Sequence, residues 1–213
     1  MDILYNTYKN RYICNDSCHI INNNYDKNLY GARKAIPEIL EIFNKFNIKS
    51  TWAIVGFLFN KNVDEFKKNK PNIIRHDNII DPYTVNFENN EKLYFALDLI
   101  QKIGNSKLQE IASHTYSHFN CKKGIKLQEE FIEDIKTAIN IAHNKLNIKF
   151  HSIVFPRNEI SKEYFPILKK LGFTHYRGNP NNFLYDKGHN KKNIIIRAIR
   201  YLDSFIEIVK NYN

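Results

Sequence analysis

The chain has 213 residues, is 43% hydrophobic and 14% aromatic, and carries a net charge of +10. That content of apolar and ring side chains excludes a disordered polypeptide and is enough for one domain with a substantial core. No run approaches the roughly 20 apolar residues of a membrane span.

The N-terminus, Met1 to Lys9, lacks the basic head and long apolar stretch of a secretory signal. Three cysteines, Cys14, Cys18 and Cys121, do not make a disulfide framework. Together these features predict a cytoplasmic protein. The positive charge raises the prospect of a nucleic-acid partner, but the lysines are scattered among asparagine and isoleucine rather than gathered into a stripe. Short basic pieces such as Lys67-Lys68-Asn69-Lys70 read as solvated helix ends, which argues against nucleic acid.

Residues 1–30 are irregular and polar, with an edge strand expected over Tyr5 to Ile13. From Gly31 the pattern clears. Ala32, Ala35, Ile36, Ile39, Leu40, Phe43 and Phe46 recur at helical spacing, so a helix is expected over 32–46, with Pro37 in its first turns where its missing N–H costs least. Lys49 to Val55 reads as a strand rich in β-branched and aromatic residues, which makes Trp52 strand filler. Gly56 ends it, and a helix is expected from Phe57 to Phe66. The segment 69–90 holds Pro71 and Pro82 and shows no period, the pattern of a rim loop. Leu93 to Ile103 is a helical stripe closed by Gly104. Leu108 to Ala112 suits a strand.

Directly after that strand come His114 and His118. Four residues on a helical turn advance about 400°, which would aim both imidazoles from one face. Neutral imidazole is the commonest side-chain ligand for metals, and such a pair can grip zinc. The protease motif His-Glu-x-x-His would need glutamate at 115, where Thr115 stands. Farther on, Leu127 to Leu146 is a long helix with Phe131, Ile132, Ile135, Ala138, Ile139 and Ala142 inward. Phe150 to Phe155 is a strand, Tyr164 to Leu171 a helix stopped by Gly172, Phe173 to Arg177 a strand, and Ile194 to Val209 a closing helix.

Alternating strands and helices predict an α/β fold with a parallel sheet or barrel, in one domain spanning 1–213. Chemistry in such folds gathers beyond the C-terminal ends of the strands. His114, then Pro156-Arg157-Asn158, then Arg177-Gly178-Asn179 each follow a predicted strand. Three polar clusters on one rim form the expected site.

These residues resemble a known family. Ser113-His-Thr-Tyr-Ser-His118 is similar to the second motif of NodB-type polysaccharide deacetylases (carbohydrate esterase family 4), and Phe155-Pro-Arg-Asn158 resembles the third-motif region. Lys49 to Gly56 looks like the strand that follows the family's first helix. Tyr176 to Tyr185 resembles a subgroup tied to surface-polysaccharide gene sets. The likeness runs from about Gly31 to about Ser204.

The resemblance implies a distorted (β/α) barrel, often of seven strands and here expected to be incomplete at both ends. It also implies hydrolysis of N- or O-acetyl groups on an acetylated carbohydrate. An Asp-His-His triad would hold a divalent metal, commonly zinc, with His114 and His118 as its two histidines. Arg157 matches the arginine that orients the aspartate base, and Pro156, Asn158, Arg177 and Asn179 would face the substrate. The family's first motif supplies two acids at the end of the first strand. Here Asp2 and Asp16 are the nearest acids, neither in an apolar strand, and Asp16 is the expected catalytic carboxylate. The family's late leucine-x-histidine motif finds no match near Leu202-Asp203-Ser204, and His189 is a poor substitute. The alternative is therefore a catalytically impaired remnant, or a carbohydrate-binding homologue without the acidic base.

Overall fold

In the computed structural model the described residues are 24–71, 91–121, 127–178, 194–203 and 205–206. The chain divides into two compact units, one ending at Tyr176 and one beginning at Arg177. The expected strand over Tyr5 to Ile13 and most of the rim loop lie outside the described residues, as do Asp2, Cys14, Asp16, Cys18, Asn179 and His189.

The first unit opens with α1 (Asn24–Lys45), which starts eight residues before the expected helix. Pro37 therefore lies inside it rather than in its first turns. Leu29, Ile36 and Leu40 line one buried stripe, and it is burial of this stripe that carries the helix through the proline. Ile39 (37% exposed) and Phe46 (63%) belong to the outer face instead of the inward stripe. Arg33 crosses to a neighbouring segment, donating to the Phe95 carbonyl at 2.8 Å and pairing with Asp98 at 2.5 Å.

Four parallel strands follow in the order β1 (Ser50–Ile54), β2 (Gln109–Ser113), β3 (Ser152–Ile153) and β4 (His175–Tyr176). Strand and helix alternate, as the α/β pattern requires. β1 and β2 pair along their whole length, from Ser50 opposite Gln109 to Ile54 opposite Ser113. Ser113 pairs onward with Ile153, and Ile153 with Tyr176. The last two strands are two residues long, shorter than the expected Phe150 to Phe155 and Phe173 to Arg177. Trp52 packs on Phe43, and its indole N–H donates to Gln109 at 2.9 Å, so it is strand filler as expected.

The expected helix from Phe57 to Phe66 is two pieces, a 3-10 turn (Gly56–Phe59) and α2 (Val63–Asn69). The break is local chemistry. Asn62 caps α2 by accepting the Glu65 N–H at 2.9 Å, while the Glu65 carboxylate accepts the Lys61 N–H. The next stripe is likewise split into α3 (Glu91–Tyr94) and α4 (Leu97–Gly104), because the Ala96 N–H donates to the Leu58 carbonyl instead of continuing a helix.

α5 (Gln128–Leu146) matches the long expected helix and ends at Asn147 in the left-handed region (φ 53°), a conformation asparagine tolerates at a C-terminal cap. α6 (Phe165–Lys170) stops before Gly172, whose φ of 91° favours glycine. The core beneath these elements includes Ile54, Ile100, Ile103, Phe131, Ile135, Ile153, Phe155 and Tyr164, all essentially without solvent contact. Phe131 and Tyr164 stack at 3.9 Å.

The second unit contributes α7 (Ile194–Asp203) to the described residues. Among the described residues no helix is long and apolar enough to cross a membrane.

Candidate functional site

The histidine pair sits on an irregular loop directly after β2, not on a helical turn. The strand brings the chain in on a fixed line. The His114 N–H donates to the Ile54 carbonyl at 2.9 Å, and the Val154 N–H donates to the Ser113 carbonyl at 3.0 Å. After His114 the backbone reverses through Thr115 at φ 62° and bends again at His118, φ 56°. A β-branched residue in that region is strained and persists only where its surroundings hold it. This double bend, rather than helical periodicity, brings the two imidazoles to 4.9 Å between ring centres in an edge-to-face arrangement.

Both rings are deep in the protein, His114 at 1% exposure and His118 at 4%. Nδ1 of His114 lies 2.7 Å from the Val154 carbonyl. A carbonyl only accepts, so Nδ1 carries the proton and donates. The tautomer is thereby set, with the lone pair on Nε2. This is the arrangement by which a second hydrogen bond orients a metal-ligating histidine.

The surrounding loop is tied on two sides. Its carbonyls at Thr115 and Tyr116 accept the N–H groups of Gly56 (2.8 Å) and Phe57 (3.0 Å) from the 3-10 turn after β1. Its amides turn toward α5, where Asp134 accepts the Tyr116 N–H at 2.7 Å, the Ser117 N–H at 3.2 Å and the Ser117 hydroxyl. Thr115 Oγ1 accepts the Phe119 N–H at 2.8 Å and closes the bend. Asn60 donates to the Tyr116 phenol oxygen at 3.2 Å and is itself held by Asn69 at 2.8 Å. Burial raises the Tyr116 phenol well above its usual range. The Asn60 hydrogen bond opposes that rise and the Asp134 charge adds to it.

Beyond β3 the neighbouring loop carries Pro156, Arg157 and Asn158, with Pro156 buried and the other two half-buried. Arg157 (φ 58°) and Asn158 (φ 52°) are also left-handed. Thus, among the described residues, the four non-glycine residues with positive φ that do not follow a helix all fall in the two loops after β2 and β3. Strain concentrated there is the mark of loops held for a purpose other than connection. The charges of Arg157, Glu159 and Asp134 all act on the Cys121 thiol. Burial chiefly pushes its pKa up, the two carboxylates reinforce the rise, and the guanidinium offsets part of it.

The structure therefore brings His114 and His118 together and sets Pro156, Arg157 and Asn158 on the loop after the adjacent strand. Arg177 is exposed and begins the second unit. Asp16 and Asn179 lie outside the described residues. Among the described residues no group of three His, Cys, Asp or Glu side chains is placed to hold a metal. The two imidazoles fit as two donors of such a site.

Asp134 and Glu159 were not singled out by sequence reasoning. Asp134 stands among the apolar residues of α5, between Phe131 and Ala138, and an acid on an inward stripe was the available signal.

No curated protein sequence matches the chain. Among solved structures it is similar to a carbohydrate esterase family 4 pseudoenzyme from Bacillus anthracis, at 18% identity and a TM-score of 0.47 over 70% of this chain and 39% of that one. It is also similar to a de-N-acetylase from Aggregatibacter actinomycetemcomitans, at 17% identity and a TM-score of 0.47, over 67% of this chain and 57% of that one. The chain thus spans well under two thirds of either protein. The polysaccharide deacetylase family model matches residues 16–176, which include β1 to β4, both strained loops and the histidine pair. The chain belongs to the polysaccharide deacetylase family.

Proposed function

We propose that the chain is a metal-dependent carbohydrate deacetylase, hydrolysing acetyl groups from a polysaccharide or oligosaccharide. The observation that carries this reading is the buried histidine pair, 4.9 Å apart at the end of β2, with His114 fixed in one tautomer by the Val154 carbonyl. His114 and His118 would hold a divalent ion, zinc first. When bound, such an ion acts as a Lewis acid on an acetyl carbonyl and acidifies water near neutral pH.

The other roles fall to the chain's own groups. Asp16 would take the proton from water, and Arg157 would hold that carboxylate ionised and oriented. Pro156 and Asn158 would contact the sugar. Burial of the histidines keeps bulk water away from the pair and strengthens charge interactions in the site.

A second reading has its own observation. The buried carboxylate beside the histidine loop, Asp134, already accepts two loop N–H groups and a hydroxyl. It is committed to the loop, which leaves the role of base to another carboxylate. If Asp16 does not serve, the chain is a sugar-binding homologue without turnover.

Acetate release from an acetylated oligosaccharide, measured for the zinc-loaded wild-type chain and for Asp16→Asn, separates the two. Release lost in the variant supports the hydrolase. Sugar binding with no acetate from the wild type supports the homologue.

A further inference from the structure

Among the described residues Asp134 is the one acidic side chain with no solvent exposure. It stands on the inward face of α5 beside Phe131 and Ile135. A carboxylate is expensive in such a place, and a well-packed apolar residue there would serve stability as well or better. Its oxygens accept from the two consecutive amides, Tyr116 and Ser117, that lie between His114 and His118, and from the Ser117 hydroxyl.

Those two residues lie in a bend, outside any helix or strand. The 3-10 turn takes the loop's carbonyls, at Thr115 and Tyr116, and leaves the amides of 116 and 117 to α5. Thr115 Oγ1 closes the bend from within by accepting the Phe119 N–H, and Asp134 is what ties the residues between Thr115 and His118 to α5. His118 follows that bend along the chain, whereas His114 directly continues the strand and donates to the Val154 carbonyl.

We infer that Asp134 is a positioning residue of the histidine pair: by clamping the Tyr116 and Ser117 amides to α5 it fixes His118 relative to His114. This rests on the reading of both histidines as metal ligands. A ligand pair must be held to within about 0.5 Å to bind a metal well, which is what a clamp on the intervening residues supplies.

The test uses the full chain with zinc as the probe. Asp134→Asn keeps the shape and removes the charge, and zinc affinity should fall about 10- to 100-fold, as for lost supporting contacts at other metal sites. Ile135→Val loosens the same buried turn of α5 while keeping the Asp134 carboxylate, and its zinc affinity should stay within about twofold of wild type. Zinc affinity unchanged in Asp134→Asn, or equally reduced in Ile135→Val, would overturn the inference.

A readout without metal separates this from failure of the deacetylase reading. In the metal-free wild-type chain the imidazole nitrogens of both histidines should each report one tautomer by NMR. In Asp134→Asn the His118 signals should broaden or average, with those of His114 preserved. If wild type binds no zinc, the metal site is wrong and the imidazole signals alone decide the role of Asp134. Unaltered His118 signals would then end it. Should Asp134→Asn fail to fold, Ser117→Ala removes one of the three donors and should weaken zinc several-fold. No change there overturns the clamp.

Discussion

A Cβ atom built on Gly56 would lie 2.9 Å from Tyr116 Cα and 2.9 Å from Tyr116 Cδ2, with Ala138 Cα at 3.2 Å. Two of these three neighbours are backbone atoms and cannot swing aside. The glycine that opens the 3-10 turn after β1 is thus the space into which the histidine loop and α5 both close. Gly56→Ala should destabilise the chain by about 1–3 kcal/mol, the usual cost of forcing an extra methyl into a packed interior. Zinc affinity should drop with it, because the displaced residue lies between the two histidines. Chemical denaturation and zinc titration of the variant check both parts.

His114→Ala should abolish zinc binding. The wild-type chain should carry about one metal per molecule, and excess zinc should raise its stability by about 2.7 kcal/mol at a free concentration 100 times the dissociation constant. The variant should show neither effect. Metal analysis and thermal melts with and without zinc decide it, and a zinc-induced shift retained in His114→Ala would remove this residue from the site.

Glu65 links α2 to α5 through Lys145, at 2.6 Å. Burial works to raise its carboxyl, but the Lys145 hydrogen bond and the Lys61 N–H prevail and hold it below its ordinary 4.5. A lowered folded pKa means stability present above the unfolded value and lost as pH falls through the folded one. Glu65→Gln should therefore lower the melting temperature at pH 7 by about 1–4 °C, the range for a partly exposed pair. Near pH 3 wild type and variant should approach one another. An equal difference at both pH values would contradict the ion pair.

Cys121 has no solvent contact, and its thiol is pushed up by burial and by the nearby Asp134 and Glu159 charges. The thiolate is the reactive form, so alkylation at pH 8 should be at least about tenfold slower in the folded chain than in denaturant. Peptide mapping distinguishes it from Cys14 and Cys18. Fast labelling in the native state would mean that the segment after the histidine loop opens readily.

Much of the first unit was legible from periodicity and composition. The parallel α/β pattern, the long helix α5, the strand at 50–54 and the glycine stops at 104 and 172 follow from local preference and apolar spacing, which act within a few residues of chain. The ordered motifs around His114 and Arg157 pointed to the family that residues 16–176 match.

What tertiary structure alone decided lies where distant segments meet. Helical spacing predicted that His114 and His118 share a face, yet they meet through left-handed bends that no residue pattern announces. Thr115, being β-branched, is a poor choice for that conformation in isolation. The loop adopts it because Gly56 leaves room, the 3-10 turn takes the loop carbonyls and Asp134 takes its amides, from 18 and 17 residues away in the chain. The same holds for Pro37 inside α1, where burial of Leu29, Ile36 and Leu40 outweighs a local preference. Local propensity is worth a kcal/mol or so per residue, and packing and hydrogen bonds gathered across the fold exceed it.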